Sequence, residues 1–73
     1  MMDKVWVLTE HENTSDSYVI KRVFTTQEAA LSYLKDYKPM WYDRDGSITA
    51  WHHPKYKWAY FELDWYPLEG AND

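Results

Sequence analysis

The 73-residue chain contains no cysteine, only two glycines and three prolines, and no long apolar run. Without cysteine it has neither disulfides nor a thiolate metal site, so the usual supports of a small domain are absent. A transmembrane helix needs about 20 apolar residues. The apolar start of the chain, Val5 to Leu8, is also too short for the core of a signal peptide. We therefore expect a cytoplasmic protein that makes no membrane contact.

Basic residues are also few. Eight lysines and arginines stand against twelve carboxylates, which gives a formal charge of −4. Nucleic-acid binders neutralise phosphates with a basic stripe, so direct nucleic-acid binding is not the function that this composition favours. From Trp58 onward the chain has carboxylates at Glu62, Asp64, Glu69 and Asp73 but no lysine or arginine. Such a run is most often a solvated face, and it is also compatible with attraction to a basic partner.

Aromatic residues make up 19% of the chain and must supply much of its core. A chain of this length forms a single domain, here residues 1–73, and buries only about 60% of its unfolded surface. The most regular pattern is the alternation in residues 57–66. Because successive strand side chains point to opposite faces, it predicts one apolar core face and one mixed aromatic and acidic outer face. The core face holds Ala59, Phe61, Leu63 and Trp65, and the outer face holds Trp58, Tyr60, Glu62, Asp64 and Tyr66.

The remaining pattern predicts an α+β fold with the order ββαββ, in which one helix packs on one face of an antiparallel sheet of about four strands. We expect strands at about 4–10, 18–24, 47–52 and 57–66, a helix at about 26–37, and a flexible C-terminal tail at 67–73. In the third strand, alternation places Ile48 and Ala50 inward and Thr49 and Trp51 outward.

The helix start has the clearest local signal. Thr25 and Glu28 have the spacing of a capping box with Thr25 as the N-cap. The stripe of Ala30, Leu31 and Leu34 predicts the face that packs on the sheet, and Pro39 ends the helix.

No residue pattern predicts catalysis, a cofactor or a metal. Asp45-Gly46 is a common hairpin turn, and the surrounding residues do not match a calcium loop. His52 and His53 are adjacent, so on a strand they point to opposite faces. Glu62 and Asp64 have a spacing of roughly 7 Å on one strand face, within the range of paired carboxylates, but no enclosed pocket is predicted around them. We therefore expect a protein that is not an enzyme.

The outer face provides the candidate site, which is a partner-binding surface. Tryptophan and tyrosine are enriched at the centres of protein interfaces. Two alternatives stay open: stacking of a nucleotide or single-stranded nucleic acid on exposed rings, and a homodimer that buries this face. The candidate residues are Trp51, Trp58, Tyr60, Glu62, Asp64 and Tyr66.

Three segments resemble a group of small, uncharacterised ββα-plus-strand proteins that are common in phage and bacterial genomes. They are Val5-Trp6-Val7 with Glu10, Val23-Phe24-Thr25-Thr26 with Glu28-Ala29-Ala30, and Tyr60-Phe61-Glu62-Leu63-Asp64. The resemblance covers most of the chain but not residues 40–56, whose role it does not address. It implies a phage or mobile-element protein that binds and inhibits a host protein, such as a nuclease or an immunity effector, in an anti-defence, anti-CRISPR-like role.

Overall fold

A computed structural model describes residues 4–68 of the protein. Within this range the chain forms five strands and one helix, which confirms the α+β class with one strand more than predicted. The predicted flexible tail lies outside the described residues except at its start, where Pro67 belongs to the last strand. The elements are β1 Lys4–Glu12, β2 Tyr18–Phe24, α1 Gln27–Tyr33, β3 Pro39–Tyr42, β4 Ile48–His52 and β5 Ala59–Pro67.

The strands form one antiparallel sheet with the order β2-β1-β5-β4-β3. The two inner strands β1 and β5 pair along their whole length, from Lys4 opposite Pro67 to Glu12 opposite Ala59. Helix α1 contacts β1 and β2 on one face. In residues 4–68, the helix is not long and apolar enough to cross a membrane.

The additional strand is β3, which the sequence pattern presents only as the lead-in to a turn. It pairs with β4 through the predicted Asp45-Gly46 turn, where Asp43 N–H donates to the Ser47 carbonyl oxygen at 2.7 Å. Gly46 has φ of +92°, a conformation that glycine adopts without the strain a side chain would add. Residues 39–52 are therefore a β-hairpin that extends the sheet.

Helix α1 begins one residue later than predicted and is shorter. The N-cap is Thr26, whose Oγ1 accepts the Ala29 N–H at 3.1 Å, so the prediction of Thr25 as cap was wrong by one position. After Tyr33 the bonds tighten to the i→i−3 pattern, with Lys35 N–H donating to Ser32 and Tyr37 N–H to Leu34. The chain leaves the helix there because it must reach the extended backbone before Pro39.

The cap position gives a testable pair of variants. Thr26→Ala removes an oxygen that satisfies a helix N–H, so we expect a loss of about 0.5 to 2 kcal/mol in the free energy of unfolding. Thr25→Ala, one residue earlier and also exposed, should change it by less than about 0.5 kcal/mol. Urea denaturation measures both. The reverse order of effects would restore Thr25 as the cap.

The core lies between the sheet and α1. Its buried members come from β1, α1, β4 and β5, and partly buried rings of Trp6, Phe24, Tyr33 and Tyr37 pack around them together with Ile48. The buried cluster consists of Leu8, Ala30, Leu34, Trp51, Phe61 and Leu63.

Trp51 belongs to this core, with only 2% of its surface exposed, so its predicted outward orientation was wrong. The cause is a bulge in β4. Trp41 and Tyr42 of β3 lie opposite Ala50 and Ile48, which leaves Thr49 as an extra residue. An extra residue reverses the alternation beyond it. Ile48 and Trp51 therefore pack on the same core although they are three positions apart.

Two other predicted core side chains remain largely exposed. Trp65 lies opposite Trp6 on the helix side of the sheet, yet 52% of its surface is accessible, and Leu31 is also exposed. Helix α1 packs over β1 and β2 and does not extend over this end of β5. The Lys4 ammonium lies over both tryptophan rings instead, 4.8 Å from Trp65 and 5.4 Å from Trp6.

Candidate functional site

The sheet face opposite α1 has no covering element in residues 4–68, and we call it the open face. Cross-strand neighbours share a face, so the registers define its members. They are Val5, Val7, Thr9, His11, Tyr18, Ile20, Val23, Trp41, Ala50, His52, Tyr60, Glu62, Asp64 and Tyr66.

A row of rings crosses the open face. His11 on β1 stacks between Tyr18 on β2 and Tyr60 on β5, with centroid distances of 5.3 and 5.0 Å. Trp41 on β3 continues the row at 5.4 Å from Tyr60 in a tilted arrangement. Four side chains from four strands thus form one aromatic surface.

Ala50 makes the last step of this row possible. It lies on β4 between Glu62 and Trp41, which are its neighbours on either side, and it has no exposed surface. Because a methyl group is small, the Trp41 ring leans across β4 and reaches Tyr60. A larger residue here would separate the two rings.

The structure places four of the six predicted site residues on the open face: Tyr60, Glu62, Asp64 and Tyr66. Trp58 lies in the turn before β5, where its ring stacks on Tyr56 at 4.9 Å. Its predicted place on the strand was therefore wrong, because β5 starts at Ala59.

Several exposed members of this face were missed by the sequence reasoning. Tyr18, Ile20 and Val23 on β2 each expose more than half of their surface, and Trp41 on β3 exposes 49%. Simple alternation separates Val23 from Tyr18 and Ile20. The register shift between β1 and β2, which leaves Lys21 without a partner in the ladder, returns Val23 to their face. The positions of β2 and β3 relative to the last strand depend on the strand order. The sequence alone gives no direct signal for that order.

The open face also contains a polar cluster at its centre. The Thr9 hydroxyl donates to the Glu62 carbonyl oxygen at 3.3 Å. His11 Nε2 lies 2.8 Å from Thr9 Oγ1 and 3.2 Å from Glu62 Oε1. This network assigns the proton to Nε2, which then donates to both oxygens.

That arrangement differs from the one that activates a nucleophile. A catalytic histidine accepts the hydroxyl proton on one ring nitrogen and is oriented by a carboxylate at the other. Here Thr9 Oγ1 and Glu62 Oε1 both contact Nε2 of His11, and the Thr9 hydroxyl donates its hydrogen bond to the Glu62 carbonyl oxygen. The cluster therefore fixes the orientation of the His11 ring within the aromatic row.

The charge of the open face is acidic. Its two carboxylates are Glu62 and Asp64, and none of its members is lysine or arginine. Glu62 lies beside His11, while Asp64 is exposed and takes part in none of the ion pairs found among residues 4–68. Asp64 is thus available to a cation from outside the domain.

His53, which lies on the core side of the sheet, has a structural role. His53 Nδ1 accepts the N–H groups of Lys55 and Tyr56, at 3.0 and 3.1 Å, and the ring stacks on Phe61. Glu10 is 3.6 Å from His53 Nε2 and 3.3 Å from the Lys21 ammonium. In residues 4–68 no group of three or more possible metal ligands comes together.

Comparisons with known proteins give no match: no family model, curated protein or solved structure is similar to this chain. The functional argument therefore depends on the geometry of the chain itself.

Proposed function

We propose that the protein is a non-enzymatic protein-binding module that uses the open face. The observation that carries this proposal is the combination of half-exposed aromatic and aliphatic side chains, Tyr18, Ile20 and Tyr66 among them, with the unpaired carboxylate of Asp64. Exposed apolar patches of this kind on small soluble domains mark interaction sites.

The chemistry of the face favours a protein over a nucleic acid as partner. Stacking platforms for bases combine rings with a basic groove that follows the phosphates. The open face combines its rings with carboxylates, which repel phosphates. A partner that offers apolar side chains and a lysine or arginine for Asp64 complements both features.

A face-to-face homodimer fits less well. In a two-fold interface, the same patch is present on both subunits. Pairing the open face with itself would bring the carboxylates Glu62 and Asp64 of both copies into one interface without a lysine or arginine from that face. A different protein with a basic surface avoids this repulsion.

The finer form of the proposal is an inhibitor of a host protein that handles nucleic acids, such as a nuclease or an immunity effector. Proteins of that kind have basic surfaces that bind phosphates. An acidic and aromatic face on a small domain would cover such a surface. The phage or mobile-element setting is the one implied by the resemblance of the three segments quoted above, and it is part of this proposal.

The test uses two pairs of variants, each with a site variant and a control of similar exposure. Ile20→Ala and Tyr66→Ala truncate exposed open-face residues, whereas Val19→Ala and Tyr42→Ala truncate similarly exposed residues that the registers place on the other face. Tagged protein is incubated with extract of the native host, and captured proteins are quantified by mass spectrometry. We expect each open-face variant to reduce capture of a specific protein at least tenfold, as interface centres do.

Equal capture by all four variants would reject the open face as the binding site. If the purified protein sediments as a dimer and Ile20→Ala makes it monomeric, the partner of the open face is a second copy of the chain and not a different protein. If a short oligonucleotide quenches the tryptophan fluorescence saturably and Tyr66→Ala abolishes the quenching, the partner of the open face is a nucleic acid.

A further inference from the structure

Strand β5 is paired on one side for only part of its length. On the β1 side its pairing continues to Pro67, but on the β4 side it ends where Glu62 lies opposite Ala50. The residues of β5 after Leu63 therefore have an edge that no strand of residues 4–68 occupies. This free edge does not belong to an outer strand of the sheet. It begins at the point along β5 where the pairing with β4 stops.

The backbone groups of Trp65 face this free edge. The Ala59 carbonyl oxygen accepts the His53 N–H just beyond β4, so it points to the β4 side. In a strand, the backbone groups of every second residue point to the same edge. Trp65 is six positions after Ala59, and its N–H and carbonyl thus point to the side that β4 no longer covers.

A cavity of about 340 Å³ lies beside the same edge. Its apolar lining includes Trp6, Ile48 and Trp65, which come from three strands. Its lining also includes three acidic residues, Asp43, Asp45 and Asp64, and none of the lining residues is lysine or arginine. The edge thus combines free hydrogen-bonding groups, apolar contact area and negative charge.

The acidic groups are held in place by the β3–β4 turn. Asp43 Oδ1 accepts the Arg44 N–H at 2.7 Å, and Asp45 Oδ1 accepts the Ser47 N–H at 2.9 Å. The Ser47 N–H also lowers the pKa of the Asp45 carboxyl below its usual value. Asp45, an exposed carboxylate that lines the cavity, is ionised at neutral pH.

We propose that this edge binds an extended segment of another protein, with alternating apolar and basic residues, which adds to β5 as a strand. The backbone of the segment pairs with Trp65, its apolar side chains enter the cavity, and its lysines or arginines meet the three carboxylates. Strand addition of this kind derives affinity from backbone bonds and specificity from alternate side chains. The Lys4 ammonium already lies over the Trp65 ring, so the basic side chains of the segment pair with the carboxylates and not with this ring.

The two outer edges of the sheet suit such a segment less well. The edge of β2 carries Lys21 and Arg22, which repel a basic strand, and β3 begins with Pro39, which has no N–H. The proposal goes beyond the open face, with which it shares Asp64, because Trp6 and Trp65 lie on the helix side of the sheet.

The probe is a synthetic peptide, Lys-Val-Lys-Val-Lys-Val-Lys with blocked ends, added to the full-length protein. Hydrogen exchange followed by NMR should show the Trp65 amide exchanging rapidly in the free protein and at least tenfold more slowly with saturating peptide. The fully N-methylated peptide keeps the side chains but cannot donate backbone bonds, and it should give no protection. Slowed exchange confined to β2, or equal binding of the N-methylated peptide, would overturn the proposal.

Isosteric variants test the charges. The triple change Asp43→Asn, Asp45→Asn and Asp64→Asn retains the acceptor oxygens of the turn and should weaken peptide binding at least tenfold. A control with the same net charge replaces Glu12, Asp16 and Asp36, which do not line the cavity, with their amides and should bind almost as well. Equal weakening by both triples would show non-specific attraction and reject the site. Ile20→Ala should leave peptide binding unchanged. Peptide binding therefore tests the free edge of β5, whereas capture of a host protein by the Ile20 variant tests the open face.

Discussion

Replacing Trp51 with alanine should lower the free energy of unfolding by about 3 to 5 kcal/mol, the range for truncating a buried aromatic side chain. The ring is 2% exposed and lies in the core with Leu34 and Phe61. At 0.05 to 0.15 kcal/mol per residue, a domain of this length has a stability of about 4 to 11 kcal/mol. The variant should therefore lose between about a quarter and all of this stability.

Trp58→Ala is the matched control for this prediction. It removes the same side chain from the turn before β5, where 52% of its surface is exposed, and should cost less than about 1 kcal/mol. Urea denaturation monitored by far-UV circular dichroism measures both variants. A loss at Trp51 as small as that at Trp58 would mean that Trp51 faces solvent, as the simple alternation of β4 predicts.

Leu8→Ala should lower the stability by about 2 to 5 kcal/mol, because it leaves a cavity in a well-packed core. Leu8 has no exposed surface and lies on the inner strand β1, between Arg22 on β2 and Leu63 on β5. The neighbouring side chains on two strands cannot all move to fill the space. The loss should therefore be near the upper part of the range.

Ile20→Ala provides the comparison on the opposite face. Ile20 is 63% exposed and lies opposite Thr9, the residue that follows Leu8. Its truncation removes a similar number of carbon atoms and should change the stability by less than about 1 kcal/mol. Thermal unfolding followed by circular dichroism shows which of the two variants loses more stability. Similar costs at Leu8 and Ile20 would show that the open face is also buried in solution.

The parts of the fold that depend on local pattern were predictable. The bounds of β2 are the predicted residues 18–24, and the turn at Asp45-Gly46 connects two strands. The alternation of β5 correctly places Ala59, Phe61 and Leu63 in the interior. Each of these features is specified by neighbouring residues, through turn chemistry or period-two alternation.

The errors have a different origin. The bulge at Thr49 depends on how β4 pairs with β3, and a single misplaced residue reverses the expected orientation of Trp51. The exposure of Trp65 depends on where the helix lies over the sheet. Both features depend on how the elements pack against each other. The alternation of residues along one strand gives no information about that packing.

In the candidate site, too, some features follow from local pattern and others from the packing of strands. Tyr60, Glu62, Asp64 and Tyr66 share a face through their own alternation, so they were found from the sequence. The stacking of Tyr18 on His11 and the tilted contact of Trp41 with Tyr60 involve side chains from four different strands. Those contacts require the strand order β2-β1-β5-β4-β3, which local pattern does not reveal.

The position of β5 between β1 and β4 also affects the time at which the protein can fold during synthesis. The β1–β2 and β3–β4 hairpins consist of neighbouring segments, but only β5 joins them into one sheet. Its pairing with β1 links residues as far apart as Lys4 and Pro67, and contacts of such separation slow folding. A ribosome must therefore release almost all of residues 4–67 before the sheet can close. Until then, both hairpins keep the edges that β5 later covers open to other chains.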